Sequence, residues 1–277
     1  MITEKLIFKI PYEFAPVIIP DDYDVIFGAN YFEDLDFNDT STITFTGSTI
    51  SAINSKGLNA GIFNGIGSNP NYVASVLNGK GVCRFDGVAD GLRNQATKSA
   101  YNFLHNGDGG CVFIISKTRL SNPDATYRLI SSWAATTDVG FAIRYDDRSS
   151  VSRNDRILTE VTRGVSGTYS AFNFSSDNAF PADNWNTLVS IIDTDVTPTV
   201  SDRSLMYVNN GTVIDNNTST LSSSLSNATH YLNIGRTAST GVFPFDGDVA
   251  RVIIINSIPT PTQLTKFYQR VAYDFGI

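Results

Sequence analysis

The chain has 277 residues, 20 of them basic and 27 acidic, for a net charge of −7. Only 17% of it is charged, against about 25% in an average soluble protein, and a sparsely charged acidic chain is a poor grip for a phosphate backbone, so nucleic acid is excluded as a partner. With 42% hydrophobic and 12% aromatic residues the chain can bury a large core, which excludes intrinsic disorder as its main state.

In chain order, the opening segment Met1-Ile-Thr-Glu-Lys-Leu-Ile-Phe-Lys-Ile-Pro scatters charges among its apolar residues, unlike a secretory signal. Pro11, Pro16 and Pro20 break Leu6 to Ile26 into extended pieces. Residues 1–29 are therefore expected as an extended arm that docks on a neighbouring subunit, or as an edge strand closing a sheet. From Tyr31 onward, short apolar runs alternate with clusters of Gly, Asn, Ser and Asp, the pattern of an all-β sandwich. Strands are expected at Gly81 to Phe85, Cys111 to Lys117, Tyr127 to Trp133, Gly140 to Tyr145 and Arg156 to Thr162. Further ones follow at Trp185 to Asp193, Ser204 to Val208, Thr212 to Asp215, Tyr231 to Gly235 and Val249 to Asn256. Asn210-Gly211 reads as a tight hairpin turn that needs positive φ. One helix is signalled at the end: Thr260 as cap, Pro261 at the first helical position, Gln263 completing a capping box, then Leu264, Phe267, Tyr268, Val271 and Phe275 on one face. The aliphatic run Val252 to Ile255 is far short of the ~20 residues of a spanning helix, so no membrane insertion is expected.

The chemistry-bearing residues are sparse. Of the 27 acids only four are Glu (Glu4, Glu13, Glu33 and Glu160), and glycoside hydrolysis needs two carboxylates held about 5–10 Å apart. Glu160 stands alone in its strand, and Asp193 and Asp195 read as turn chemistry. His105 and His230 lie in polar, turn-like surroundings and read as surface or cap residues, with no zinc spacing around them. Cys83 and Cys111 sit inside apolar runs and read as buried thiols. An enzyme is therefore not expected, and no cofactor beyond calcium. Oxygen ligands for calcium bunch at Asp86 and Asp90, at Asp146-Asp147, and at Asp246 and Asp248, although each place also makes a good turn. For a sugar ligand, aromatic faces and polar side chains are wanted together, which singles out Tyr145, Asp146, Asp147, Arg148 and Tyr169. Trp133 and Trp185, inside strands, read as core.

Three segments then match something more specific: Asn30 to Ile43, Leu77 to Leu92 with its Phe85-Asp-Gly, and Phe245 to Leu264 running on to Tyr273-Asp-Phe-Gly-Ile. With Trp185-Asn186 and Asn210-Gly211 between them, residues 30–277 resemble the laminin-G-like branch of the concanavalin A-like lectin/glucanase superfamily, in the form carried by bacteriophage structural proteins. The resemblance implies a two-sheet antiparallel jelly-roll sandwich with a short C-terminal helix and no catalytic set. It implies a virion component, a decoration, fibre or tail-associated protein made in the host cytoplasm. Its partners would be other virion proteins, copies of itself and a host-surface glycan. A lectin module of a bacterial surface system is the alternative reading, and a glycoside hydrolase the third.

Overall fold

The computed structural model describes residues 19–106, 109–119, 126–134, 138–148, 153–164, 169–193, 204–215, 225–237 and 243–277. Residues 1–18, most of the expected arm, lie outside them. The first strands are β1 (Tyr31–Asp36), β2 (Ile43–Thr46), β3 (Thr49–Asn54), β4 (Ile62–Ile66), β5 (Asn71–Leu77), β6 (Lys80–Asp86), β7 (Gly91–Asn94) and β8 (Gly110–Thr118). They are followed by β9 (Thr126–Ser131), β10 (Gly140–Asp146), β11 (Arg156–Thr162), β12 (Tyr169–Phe174), β13 (Asn186–Ile192), β14 (Ser204–Val208), β15 (Asn233–Ile234) and β16 (Asp246–Ile255). Two α-helices, α1 (Tyr23–Phe27) and α2 (Pro261–Phe275), and three short 3-10 turns complete the described elements.

The strands form one ladder in the order β12-β11-β10-β9-β15-β7-β4-β3-β5-β6-β16-β8-β13-β14, with β1 beside β16 and β2 beside β3. The ladder turns a corner where β3 meets β5 through the single pair Thr49↔Asn71. Its two arms then face each other. Thr159 of β11 lies 2.6 Å, hydroxyl to hydroxyl, from Ser190 of β13, and Asn173 Nδ2 of β12 donates to the Ser204 carbonyl of β14 at 2.7 Å. The result is the expected antiparallel jelly-roll sandwich with its C-terminal helix.

Alternation along the strands explains why β8, β13 and β16 read as unbroken apolar runs. Val112 and Ile114 of β8, Leu188 and Ile192 of β13, and Val252 and Ile254 of β16 point into the core between the layers. Their neighbours Cys111, Phe113, Ile115, Val189, Ile191, Ile253 and Ile255 point to the opposite face. A strand covered on both sides has no polar face to show. The cover is helical: Phe267, Val271 and Phe275 of α2, with Tyr23, Ile26 and Phe27 of α1, fill this second cluster. The Phe267 ring lies tilted against Phe113 at 4.5 Å and Tyr23 at 5.9 Å, centroid to centroid. The two cysteines are free, buried, and belong to opposite clusters, Cys83 between the layers and Cys111 under the helices, so the sheet itself separates them.

Helix α2 starts as its capping box dictates, with the Thr260 hydroxyl accepting from Gln263 N at 3.2 Å and Gln263 Oε1 accepting from Thr260 N at 2.9 Å. Four details differ from the sequence reading. Residues 23–27, expected to be extended, form α1, because Tyr23, Ile26 and Phe27 share one face of a helical turn and bury it. The hairpin turn sits one residue early: Asn209 (φ 51°) and Asn210 (φ 57°) take the left-handed positions, while Gly211 does not, and Gly211 N closes the turn on Val208 O at 2.9 Å. Beyond that turn, Thr212 to Asp215 contributes only the bridge Met206↔Ile214. Strands β1 to β5, β7 and β12 were not legible; in Asn71–Leu77, for example, Tyr72-Val73 and Val76-Leu77 are adjacent apolar pairs around Ala74-Ser75, so no period-two alternation shows, and a register shift falls between Val73 and Leu77.

Candidate functional site

The residues expected to meet a sugar are occupied with the protein itself. Tyr145 is fully buried, its ring 6.0 Å from Tyr127 and its hydroxyl bonded to Asp155, so it offers no face to a ligand. Asp146 is equally buried and accepts both Nε and Nη2 of Arg148 at 2.7 Å and Nη1 of Arg153 at 2.6 Å. Burial opposes its ionisation, but the Arg148 and Arg153 hydrogen bonds and the charge of Arg144 outweigh that and hold the carboxyl down at about 2. Asp147 accepts the Asp155 amide at 3.3 Å. Of Tyr169 only the backbone, at the start of β12, falls within the described residues.

The expected calcium ligands are also committed. Asp86 Oδ1 caps its own turn through the amides of Val88 and Ala89 at 2.8 and 3.2 Å, and Asp90 Oδ2 accepts the Asp86 amide at 3.1 Å. Asp246 pairs with Arg119 at 2.8 Å, and Asp248 takes a bidentate fork from Arg84 at 2.6 and 2.9 Å. Among the described residues no group of three His, Cys, Asp or Glu side chains is placed to hold a metal ion. Asp90 keeps one buried oxygen unbonded, and burial together with the Asp86 charge raises its carboxyl to about 6.

Two pockets remain. The first, about 330 Å³ between α1, α2 and β1, is walled by Lys56, Lys80, Arg251, Arg270, Asp22, Asp36 and Asp274 among others. Its charges neutralise each other: Lys56 lies 3.3 Å from Asp36, Arg270 is 2.8 Å from Asp274, and Arg251 forks onto Asp34 at 2.8 and 2.6 Å.

The second is an open pocket of about 630 Å³ at one end of the sandwich, lined by Asn102, Phe103, Asn106, Gly109, Leu225, Ser226, Asn227 and Asn256. Its first wall is the 3-10 turn at Lys98–Leu104. That turn is pinned from below, where the Tyr101 hydroxyl donates to Glu33 at 2.8 Å and Phe103 packs edge-on to Phe32 at 5.0 Å. Gly109-Gly110 lets β8 begin directly under this wall: a side chain at Gly110 would strike the Phe103 ring at 2.7 Å, and Gly109 sits at φ +96°. The opposite wall, residues 225–228, is tied across by hydrogen bonds. Asn102 Nδ2 donates to Asn227 Oδ1 at 2.7 Å, Ala228 N donates to Asn102 Oδ1 at 3.4 Å, and Asn106 Nδ2 donates to the Ser226 carbonyl. The Ser226 hydroxyl in turn accepts from Gly164 N at 3.1 Å.

His105 lies behind this wall with no exposed surface, contrary to its reading as a surface or cap residue. Its Nε2 meets the Ser226 carbonyl at 3.1 Å. A carbonyl only accepts, so Nε2 carries the proton and Nδ1 is an acceptor with no hydrogen-bond partner. Burial, with a smaller push from the Arg163 charge, lowers the imidazole to about 4, so it is neutral at physiological pH. His230, by contrast, is half-buried beside Asp138 at 3.2 Å. The sequence reading missed this pocket because its residues come from positions 102–109, 225–227 and 256. Only the repeated Asn residues beside turn glycines hinted at it.

No protein-family model matches the chain, and no curated protein sequence matches it. Similarity appears at the level of solved structures. The binding domain of botulinum neurotoxin serotype D superposes with a TM-score of 0.57 at 9% identity, over 87% of this chain and 52% of that one. A Trypanosoma rangeli sialidase in complex with sialic acid gives 0.56 at 13%, over 89% and 33%. The binding domain of botulinum neurotoxin DC in complex with SialylT gives 0.51 at 10%, over 90% and 53%. The chain thus spans about half the length of the toxin structures and a third of the sialidase. At these identities the likeness is one of fold, that of an antiparallel β-sandwich.

Proposed function

We propose that the chain is a non-enzymatic adhesion module of a bacteriophage virion, which holds a host-surface glycan and assembles with other virion proteins and with copies of itself. The observation behind the glycan reading is the open amide-walled pocket. Asn227 keeps its NH₂ for a sugar hydroxyl, Asn256 adds a second side-chain amide to the lining, and the walls are already tied in place, which lowers the ordering cost of binding. The structural neighbours named with a sialic-acid-type ligand lend the fold-level analogy.

The non-enzymatic part rests on how the carboxylates are used. Glu160 lies between Arg144 at 3.1 Å and Arg128 at 3.4 Å. Glu33 accepts from Tyr101, Asn59 and Gly61 N. Neither is free to move a proton to a substrate. The virion part rests on the three sequence segments that resemble phage structural proteins. The test is to pass the full chain over immobilised host-surface polysaccharides while assaying the same polysaccharides for new reducing ends, and to probe purified particles with an antibody to the chain. Retention without cleavage, and label on the particle, is the expected result. Release of reducing ends would overturn the non-enzymatic reading, and unlabelled particles the virion reading.

A further inference from the structure

Resting on the glycan reading above, we propose that the amide pocket selects uncharged, hydroxyl-rich glycan termini and rejects sialylated or sulfated ones. Among the described residues that line it, no side chain is charged. The hydrogen bonds across the pocket fix which way each amide faces. Asn106 gives its NH₂ to the Ser226 carbonyl, so its oxygen faces away as an acceptor that no protein donor meets. Asn102 gives its oxygen to the Ala228 amide and its NH₂ to Asn227 Oδ1, which leaves the Asn227 NH₂ to serve a ligand.

The acceptor of Asn106 and the lone pair of His105 Nδ1 both present negative partial charge near this wall. Both atoms are buried and do not meet a ligand directly, but their field opposes a carboxylate or sulfate at the wall. An anion placed here would lose its water with no cation among the described lining residues to replace it. Arg163, whose charge reaches His105, is 2% exposed and is not part of the lining. Arg84, Arg148, Arg153 and Arg251 are already bonded to Asp248, Asp146 and Asp34. Leu225, 62% exposed at the rim, and Phe103 on the wall supply an apolar patch for the C–H face of a sugar ring.

The experiment titrates the full chain with galactose-, mannose- and N-acetylglucosamine-terminated oligosaccharides and, in parallel, with α2,3-sialyllactose and a sulfated oligosaccharide. At least one neutral probe should bind ten-fold or more tighter than either acidic probe. Asn227→Asp, at an exposed position where the bond from Asn102 survives, should weaken neutral binding at least ten-fold at an unchanged melting temperature. Phe103→Ala supplies a second variant at the same wall. Preference for the acidic probes would overturn the selectivity and leave the glycan reading intact. Neutral binding unaffected by either variant would overturn the site. Failure to bind any probe would remove the glycan reading, and this proposal with it.

Discussion

Two buried titratable residues pull the stability of this protein in opposite directions over one pH window. Asp90 titrates at about 6 in the fold against an ordinary 3.8, so between those values the folded chain keeps a proton that the unfolded chain has released, and stability falls as pH rises. His105 titrates at about 4 against 6.5, so the unfolded chain takes up the proton first and stability falls as pH drops. From about pH 4 to 6 the slopes offset each other. Asp90→Asn should therefore lower the melting temperature on acidification through this window, and His105→Gln should raise it, with the parent flatter than both. Identical pH profiles for all three proteins would show that neither group is perturbed. The turn at Asn209 gives a second residue-scale expectation. Asn209 combines φ 51° with an Oδ1 that accepts Thr187 N at 2.8 Å and an Nδ2 that donates to Asn186 at 2.9 Å. Asn209→Ala should cost about 1–2 kcal/mol by chemical denaturation. Gly211→Ala should not cost through φ, because Gly211 lies outside the left-handed region. Which Asn would take positive φ was not legible, since Asn209-Asn210-Gly211 fits two turn registers and the ladder between β13 and β14 selects one.

At the scale of elements, α2 was readable to the residue because its start is local chemistry: cap, proline and capping box lie within four positions. Helix α1 was not, because five residues following three prolines carry no periodicity of their own. Its helix exists to bring Tyr23, Ile26 and Phe27 under α2. The pair acts as one lid over the outer face of β8, β13 and β16. Phe267→Ala should accordingly lose about 3–5 kcal/mol. A chain beginning at Asn30, which the sequence reading expected to fold as a monomer, removes three buried side chains of the lid and should melt well below the full chain by circular dichroism. Equal melting temperatures would show that α1 is dispensable and return residues 19–29 to a docking role.

For the whole molecule, the expectation of no hydrolysis can be separated from stability at Glu160. This carboxylate, 2% exposed, neutralises Arg128, which burial already lowers to about 10, and Arg144 across the β9-β10-β11 face. Glu160→Gln should cost about 3 kcal/mol by stranding buried cations, with no change in reducing-end release, which is expected to be nil before and after. Turnover abolished by this substitution at intact fold would make Glu160 catalytic. What the sequence alone determined was everything set by near neighbours along the chain or by composition: the all-β class, the buried thiols, nine strand regions of differing accuracy, the C-terminal helix and the scarcity of Glu. Tertiary structure decided the rest. Whether a carboxylate such as Asp146 or Asp248 is a ligand or an ion-pair partner depends on which arginine the ladder sets beside it, from two positions away in one case and 164 in the other. The amide pocket gathers residues from three distant stretches of chain, and the buried His105 meets its hydrogen-bond partner, the Ser226 carbonyl, 121 positions further on. Such juxtapositions are made by strand order, and no spacing along the chain records them.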